Sequence, residues 1–292
     1  MKHHLTFGIE ATFIPRWHNE SRFGAKYGIC YSLSDEYKLK LANAINRAFV
    51  KKGYPKAKKD IHCVEVCSPV FKSLTELTKW YSKLRSHALA NNFTPHNKST
   101  VCGGGHLHIG GLTKAQIRQC MSLLYRYPSI PWTFLQPDDT DSANLPQLKI
   151  DKPYSNLHVS NRRQLAFFLK SPKWLTERWF CFNHHLPFLD TKEFAADYSN
   201  NGKTIQYRCI EAPKTVAELQ LQLQFFKAFT LWALKQPLTP VVYPENLQSI
   251  KRFEAIAQFE SICQLIGVNY RDYKHLIRRN LMPRWELGRK RT

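Results

Sequence analysis

Residues 102–111 read CGGGHLHIGG, five glycines around two histidines spaced two positions apart. No other stretch constrains the fold as tightly. Glycine weakens a strand interior because it supplies no side chain to pack, so a strand built only for burial would carry Val and Ile here. The glycines instead free the backbone for close approach to something else. Positions i and i+2 of a strand point to the same side, about 6–7 Å apart. His106 and His108 therefore face one site together, and its chemistry depends on which other strands join it.

Three more stretches have the same form. Residues 61–67 (IHCVEVC) are short and rich in Val and Cys, the pattern of a strand, and place Glu65 on one face with Cys63 and Cys67. Ser-Pro follows, then SLTELTKWYSKLRSHALANN, a helical pattern opened by Ser73 and Glu76 as a capping box. Residues 106–110 lead to Thr113 and a second capped helix, TKAQIRQCMSLLYRY. Residues 204–211 (TIQYRCIE) lead through Ala-Pro-Lys to a third, capped by Thr215 and Glu218. The N-terminal LTFGIEATFI is strand-like too, and a helix is expected over about residues 35–52.

Each of these four strands carries a polar residue in an apolar run: Glu10, Glu65, the pair His106 and His108, and Arg208 with Glu211. Burying such a group is costly unless it is paired or coordinates a metal. One strand with a buried carboxylate has a plain structural explanation; four predict a shared polar site on one face of a sheet. Carboxylates beside imidazoles suit a hard divalent cation, Mg²⁺ or Mn²⁺, with zinc as an alternative. Gly103, Gly104 and Gly105 leave backbone N–H groups available to a phosphate or a flat substrate. Arg208 adds a rigid fork suited to phosphate or carboxylate.

Residues 128–200 read differently, with prolines at 128, 131, 137, 146, 153 and 172, the acidic turn PDDTDS and clusters such as KWLTERWFCFNHH. They are expected to form an irregular insertion with short helices, a lid or substrate loop region, closed by a hairpin at YSNNGKT. Gly202-Lys203-Thr204 imitates the end of a phosphate-binding loop, but Asp197 stands where its first glycine belongs and a strand follows it instead of preceding it.

Charge widens the range of partners. Lys and Arg number 43 against 22 acidic residues, a formal charge of +21. Each basic run alone reads as a solvated face, but the total also fits a polyanion such as nucleic acid. The eight cysteines form no CxxC pair and are read as reduced and mostly buried, as in a cytosolic protein. The opening MKHHLTFGIEATF, its apolar run cut by Glu10, is read as carrying no signal peptide, and no apolar run reaches the roughly 20 residues of a membrane span. A cytoplasmic location is the expectation.

GIEATF, VEVCSP, CGGGHLHIG and YRCIEAP, in this order and spacing, resemble the signature strands of the amidoligase family. These are carboxylate–amine ligases related to glutamine synthetase and gamma-glutamylcysteine synthetase, common in bacteria and their phages. The resemblance implies an α+β fold of the glutamine-synthetase kind: an antiparallel sheet forming a concave floor for ATP and two or more Mg²⁺, with helices packed behind. It implies Glu10, Glu65 and Glu211 as metal ligands and His106 or His108 as a further ligand or phosphate contact. Arg208 would hold the γ-phosphate or a forming acyl phosphate. Two positions depart from the family: Thr12 stands for a second glutamate of the first strand, and Pro213 for an arginine after the last one.

The resulting expectation is a ligase domain over residues 1–235 and a basic helical extension over 236–292. It would join a carboxylate to an amine through an acyl phosphate, with an amino acid as one substrate. Two alternatives stay open at the level of sequence: a basic nucleic-acid-binding protein with a degenerate ligase site, and a metal-dependent hydrolase using the same cluster.

Overall fold

The computed structural model of the chain describes residues 4–15, 35–49, 57–59, 64–95, 106–127, 129–134, 148–149, 196–199, 204–207, 210, 212–237 and 250–280. In chain order, β1 is Thr6–Pro15, α1 Asp35–Phe49, β2 Lys58–Lys59, β3 Val64–Cys67, α2 Leu74–Ala90, β4 Phe93–Pro95 and β5 His106–Gly110. There follow α3 Lys114–Arg126, α4 Ser129–Phe134, β6 Leu148–Lys149, β7 Ala196–Ser199, β8 Thr204–Tyr207 and α5 Val216–Ala233. The chain continues with β9 Ile250–Lys251, α6 Arg252–Ile266, a 3₁₀ turn Tyr270–Tyr273 and α7 Lys274–Asn280.

The architecture is α+β. The main sheet runs β2–β3–β1–β5–β8–β7 and every pairing in it is antiparallel. Glu10 pairs with both Cys67 and His106, and Phe13 with both Val64 and Pro95. Thus β3 takes one edge of β1, while β5 and β4 share the other. The β7–β8 pair matches the hairpin expected around YSNNGKT.

Period-two alternation divides the sheet into two faces. Phe7, Ile9, Ala11 and Phe13 of β1, Val64 and Val66 of β3, Leu107 and Ile109 of β5, and Ile205 and Tyr207 of β8 are buried in one apolar core. The intervening residues, Glu10, Thr12, Glu65, Cys67, His106, His108 and Gln206, share the other face, and the cross-strand register puts them side by side.

Helix α5 occupies the centre of the core, burying Leu219, Leu223, Phe225, Phe226, Phe229 and Ala233. It touches α2, α3 and α6. Phe226 meets Tyr207 of the sheet at 4.5 Å between ring centroids, while Phe225 stacks on Phe259 of α6 at 5.3 Å. Phe134 lies 4.8 Å from Phe225, and Tyr273 5.7 Å from it. The helices beyond residue 250 thus pack into the core that backs the sheet.

The helix starts follow the capping chemistry, with two adjustments. Thr113 and Gln116 form the complete reciprocal box at α3. Ser73 accepts from Thr75 N at 3.2 Å, one residue short of Glu76. Thr215 accepts from Glu218 N at 3.1 Å, but the Glu218 carboxylate reaches back past the cap to Lys214 N at 2.6 Å. That longer reach fixes the loop between β8 and α5. From α2, Tyr81 Oη donates to the Pro213 carbonyl at 2.6 Å and Arg85 Nε to the Lys214 carbonyl at 2.9 Å. Among the described residues no helix is long and apolar enough to cross a membrane.

Candidate functional site

The centre of the polar face is Glu10, in the middle of β1. His106, its register partner on β5, contacts Glu10 Oε2 through Nδ1 at 2.6 Å. His108 Nε2 lies 3.2 Å from Oε1. Gln206 of β8, opposite His108, donates to Oε2 at 3.4 Å and approaches His106 Nδ1 at 2.9 Å. Both imidazoles therefore converge on one carboxylate, as their spacing in the sequence requires.

Burial alone would raise the Glu10 carboxyl, but hydrogen bonds from His106 and His108, with their positive charge, outweigh it and hold the group well below the ordinary carboxylate range. With Glu10 ionised, the short contact needs a proton on His106 Nδ1. With Nδ1 protonated towards Glu10, the Gln206 amide N–H beside it is directed to the same Glu10 oxygen.

On the other side of Glu10, β3 brings Glu65 and Cys67 to the same face. Cys67 Sγ donates to Glu65 Oε1 at 3.6 Å. One ligand atom each from Glu10, Glu65 and Cys67 lies within 4.8 Å of the other two. Thr12 pairs with Glu65 in the register, and its buried Oγ1 has no hydrogen-bond partner among the described residues. Two carboxylates beside an unsatisfied hydroxyl form a donor set that fits a divalent cation.

The backbone around these side chains is tightly held. After β3 the chain turns so that Ser68 N donates to the Ile9 carbonyl at 2.8 Å and Ser68 Oγ accepts from Ile9 N at 2.9 Å. A methyl group on Gly8 would meet Ser68 Oγ at 3.3 Å and His108 Cβ at 3.8 Å. Glycine at position 8 therefore makes room for the Ser68 hydroxyl beside His108. At the end of β5, Gly111 has φ of +83° and an added Cβ would come within 2.4 Å of the His4 carbonyl oxygen, so glycine is required for the turn into Thr113 and α3.

Of the residues singled out from the sequence, Glu10, Glu65, His106 and His108 meet on this face. Gly103, Gly104, Gly105, Arg208 and Glu211 lie outside the described residues, as does nearly all of the expected insertion. Pro213, which replaces an arginine of the family pattern, is buried beneath α2 through its bond to Tyr81. Gln206 was missed, while Cys67 and Thr12 were noted beside the site residues but given no part in the site. Gln206 had a legible signal, because TIQY alternates and sets Gln206 in phase with Thr204 against the buried Ile205 and Tyr207.

No protein-family model and no curated protein matches the sequence. Among solved structures, the chain is similar to a bifunctional glutathione synthetase from Pasteurella multocida, with a TM-score of 0.52 at 10% sequence identity. The match covers 98% of this chain and 49% of that one, so the chain spans about half the length of the synthetase. At that identity the likeness is one of fold.

Proposed function

We propose that the protein is an ATP-dependent carboxylate–amine ligase of the amidoligase kind, within the glutamine synthetase and gamma-glutamylcysteine synthetase superfamily, using an amino acid as one substrate. The observation that carries this reading is the meeting of Glu10, Glu65, His106 and His108 on one face of an antiparallel sheet backed by helices. The fold likeness to a glutathione synthetase supports it, since glutathione is itself joined by amide bonds.

A carboxylate is a poor acyl donor because oxide is a poor leaving group. In the proposed reaction its oxygen attacks the γ-phosphorus of ATP, ADP departs, and an acyl phosphate results. The amine then attacks the acyl carbon, phosphate leaves, and an amide remains. Glu10 and Glu65, with Glu211 by resemblance, would hold divalent cations, Mg²⁺ or Mn²⁺ among them, which supply charge neutralisation on the phosphates. A nearby carboxylate, or His106 or His108 in its neutral form, would take the proton of the attacking ammonium. Gly103, Gly104 and Gly105 would face phosphate with backbone N–H groups, and Arg208 would hold the transferring phosphoryl group.

The test is ADP release from Mg²⁺-ATP with a panel of amino acids and polyamines, with hydroxylamine present to trap an acyl phosphate as a hydroxamate. The expected result is ADP with hydroxamate, reduced at least about a hundredfold in Glu10→Gln and Glu65→Gln. No ADP under any condition would reject the ligase reading in favour of hydrolysis or a retired site.

A further inference from the structure

The strand carrying Glu65 also presents a thiol to the same point in space. Cys67 stands directly opposite Glu10 in the register and two residues from Glu65, so all three side chains rise from one patch of the sheet. Cys67 Sγ and Glu65 Oε1 are 3.6 Å apart. A tetrahedral cation with metal–sulfur and metal–oxygen bonds of about 2.3 and 2.1 Å sets its sulfur and oxygen donors about 3.6 Å apart. The third donor, from Glu10, lies within 4.8 Å of both, close enough for small side-chain rotations to complete the set. Beside them the Thr12 hydroxyl, on a residue only 4% exposed, has no hydrogen-bond partner among the described residues. A buried hydroxyl without a partner is costly, and a ligand at this point would relieve it.

We propose that Cys67 is a metal ligand, and that Glu10, Glu65 and Cys67 form a mixed oxygen–sulfur site for a borderline divalent cation such as Zn²⁺ in preference to Mg²⁺. The inference deepens the proposed function by naming the class of one cation, and it rests on that function's reading of Glu10 and Glu65 as ligands. On binding, the Cys67 thiol releases its proton to solvent and its thiolate becomes the softest donor of the set. Thiolates select zinc-like ions, whereas Mg²⁺ takes oxygen donors and retains its water. This position would be one of the cation sites that Glu10 and Glu65 supply, and Mg²⁺ would enter beside it with the nucleotide.

The test is titration of the full-length reduced protein with Co²⁺, followed by absorption. Ligand-field bands in the visible report coordination, and a thiolate-to-metal charge-transfer band in the near ultraviolet reports sulfur. Both are expected to saturate together, with the charge-transfer band lost in Cys67→Ser and kept in Cys120→Ser. In the unmutated protein, Zn²⁺ is also expected to protect Cys67 from alkylation, read by peptide mass spectrometry, which needs no variant to fold. Ligand-field bands without the sulfur band, a sulfur band that survives Cys67→Ser, or unchanged alkylation would overturn the proposal. Absence of both bands would overturn it and the metal reading of Glu10 and Glu65 as well. A Cys67-dependent band in a protein that releases no ADP would leave the metal site standing and reject only the ligase.

Discussion

Glu10 and His106 are register partners on adjacent strands, joined by a 2.6 Å contact between Oε2 and Nδ1. The two residues are 96 positions apart in the chain. Their meeting follows from β1 lying between β3 and β5, so that one carboxylate is flanked by two imidazoles on one side and by a carboxylate and a thiol on the other. Glu10 thereby serves two edges of the site at once. Ionised by its histidine neighbours, it is ready to face a cation without first losing a proton.

Gln206 governs how His106 is oriented without itself offering a charge. Gln206→Leu keeps the volume and removes the amide, leaving His106 held by Glu10 alone. The expected result is a fall in ADP release of about ten- to a hundredfold, as when a supporting hydrogen bond behind a ligand is removed. A purely structural role would lower stability but leave the pH dependence of turnover in place. Its shift in Gln206→Leu, measured across the histidine range, is the discriminating readout.

Much of the fold was legible because its signals are local. VEVC and HLHIG alternate, so the face carrying Glu65, His106 and His108 could be assigned before any strand was paired. Thr113 and Thr215 marked helix starts through side chains that cap within three residues. The order β3–β1–β5 was not available in the same way, since it depends on pairings between residues some 50 to 100 positions apart. The place of Phe259 and Tyr273 beside Phe225 was hidden for the same reason. Cys67 was seen to share a face with Glu65, yet it looked like one more small strand residue until β1 set it opposite Glu10. The Thr12 hydroxyl could be recognised as orphaned only from the packing around it.

Gly111 marks where backbone geometry outweighs side-chain chemistry. Gly111→Ala forces a left-handed conformation on a residue with a Cβ and drives that atom against the His4 carbonyl. The left-handed strain alone is worth about 1–3 kcal/mol, and the displaced carbonyl adds to it. Urea denaturation should give a lower midpoint with an unchanged slope. An unaffected midpoint would mean that the β5–α3 turn relaxes freely.

The helices beyond residue 250 are expected to matter for the stability of the whole core. Phe259 is fully buried and touches Phe134, Phe225 and Tyr273, which come from three other segments. Phe259→Ala leaves a cavity among these rings and should cost about 3–5 kcal/mol. The unfolding transition should stay single. A second transition, with β-sheet signal surviving the first, would show that these helices unfold independently of the sheet.

The last prediction concerns acid stability in protein stripped of cations with a chelator. Burial raises the Glu10 carboxyl, but the histidine hydrogen bonds and charges lower it further, so its folded value lies below its unfolded value of about 4.3. A group depressed in this way contributes stability that is fully present above the unfolded value and is lost as pH falls from there towards the folded one. Between about pH 5 and pH 3 the unfolding free energy should therefore decline more steeply in the parent than in Glu10→Gln, by up to about 1.4 kcal/mol per pH unit from this single proton. Parallel acid limbs would mean that Glu10 titrates normally and that its contacts with His106 and His108 do not persist in solution.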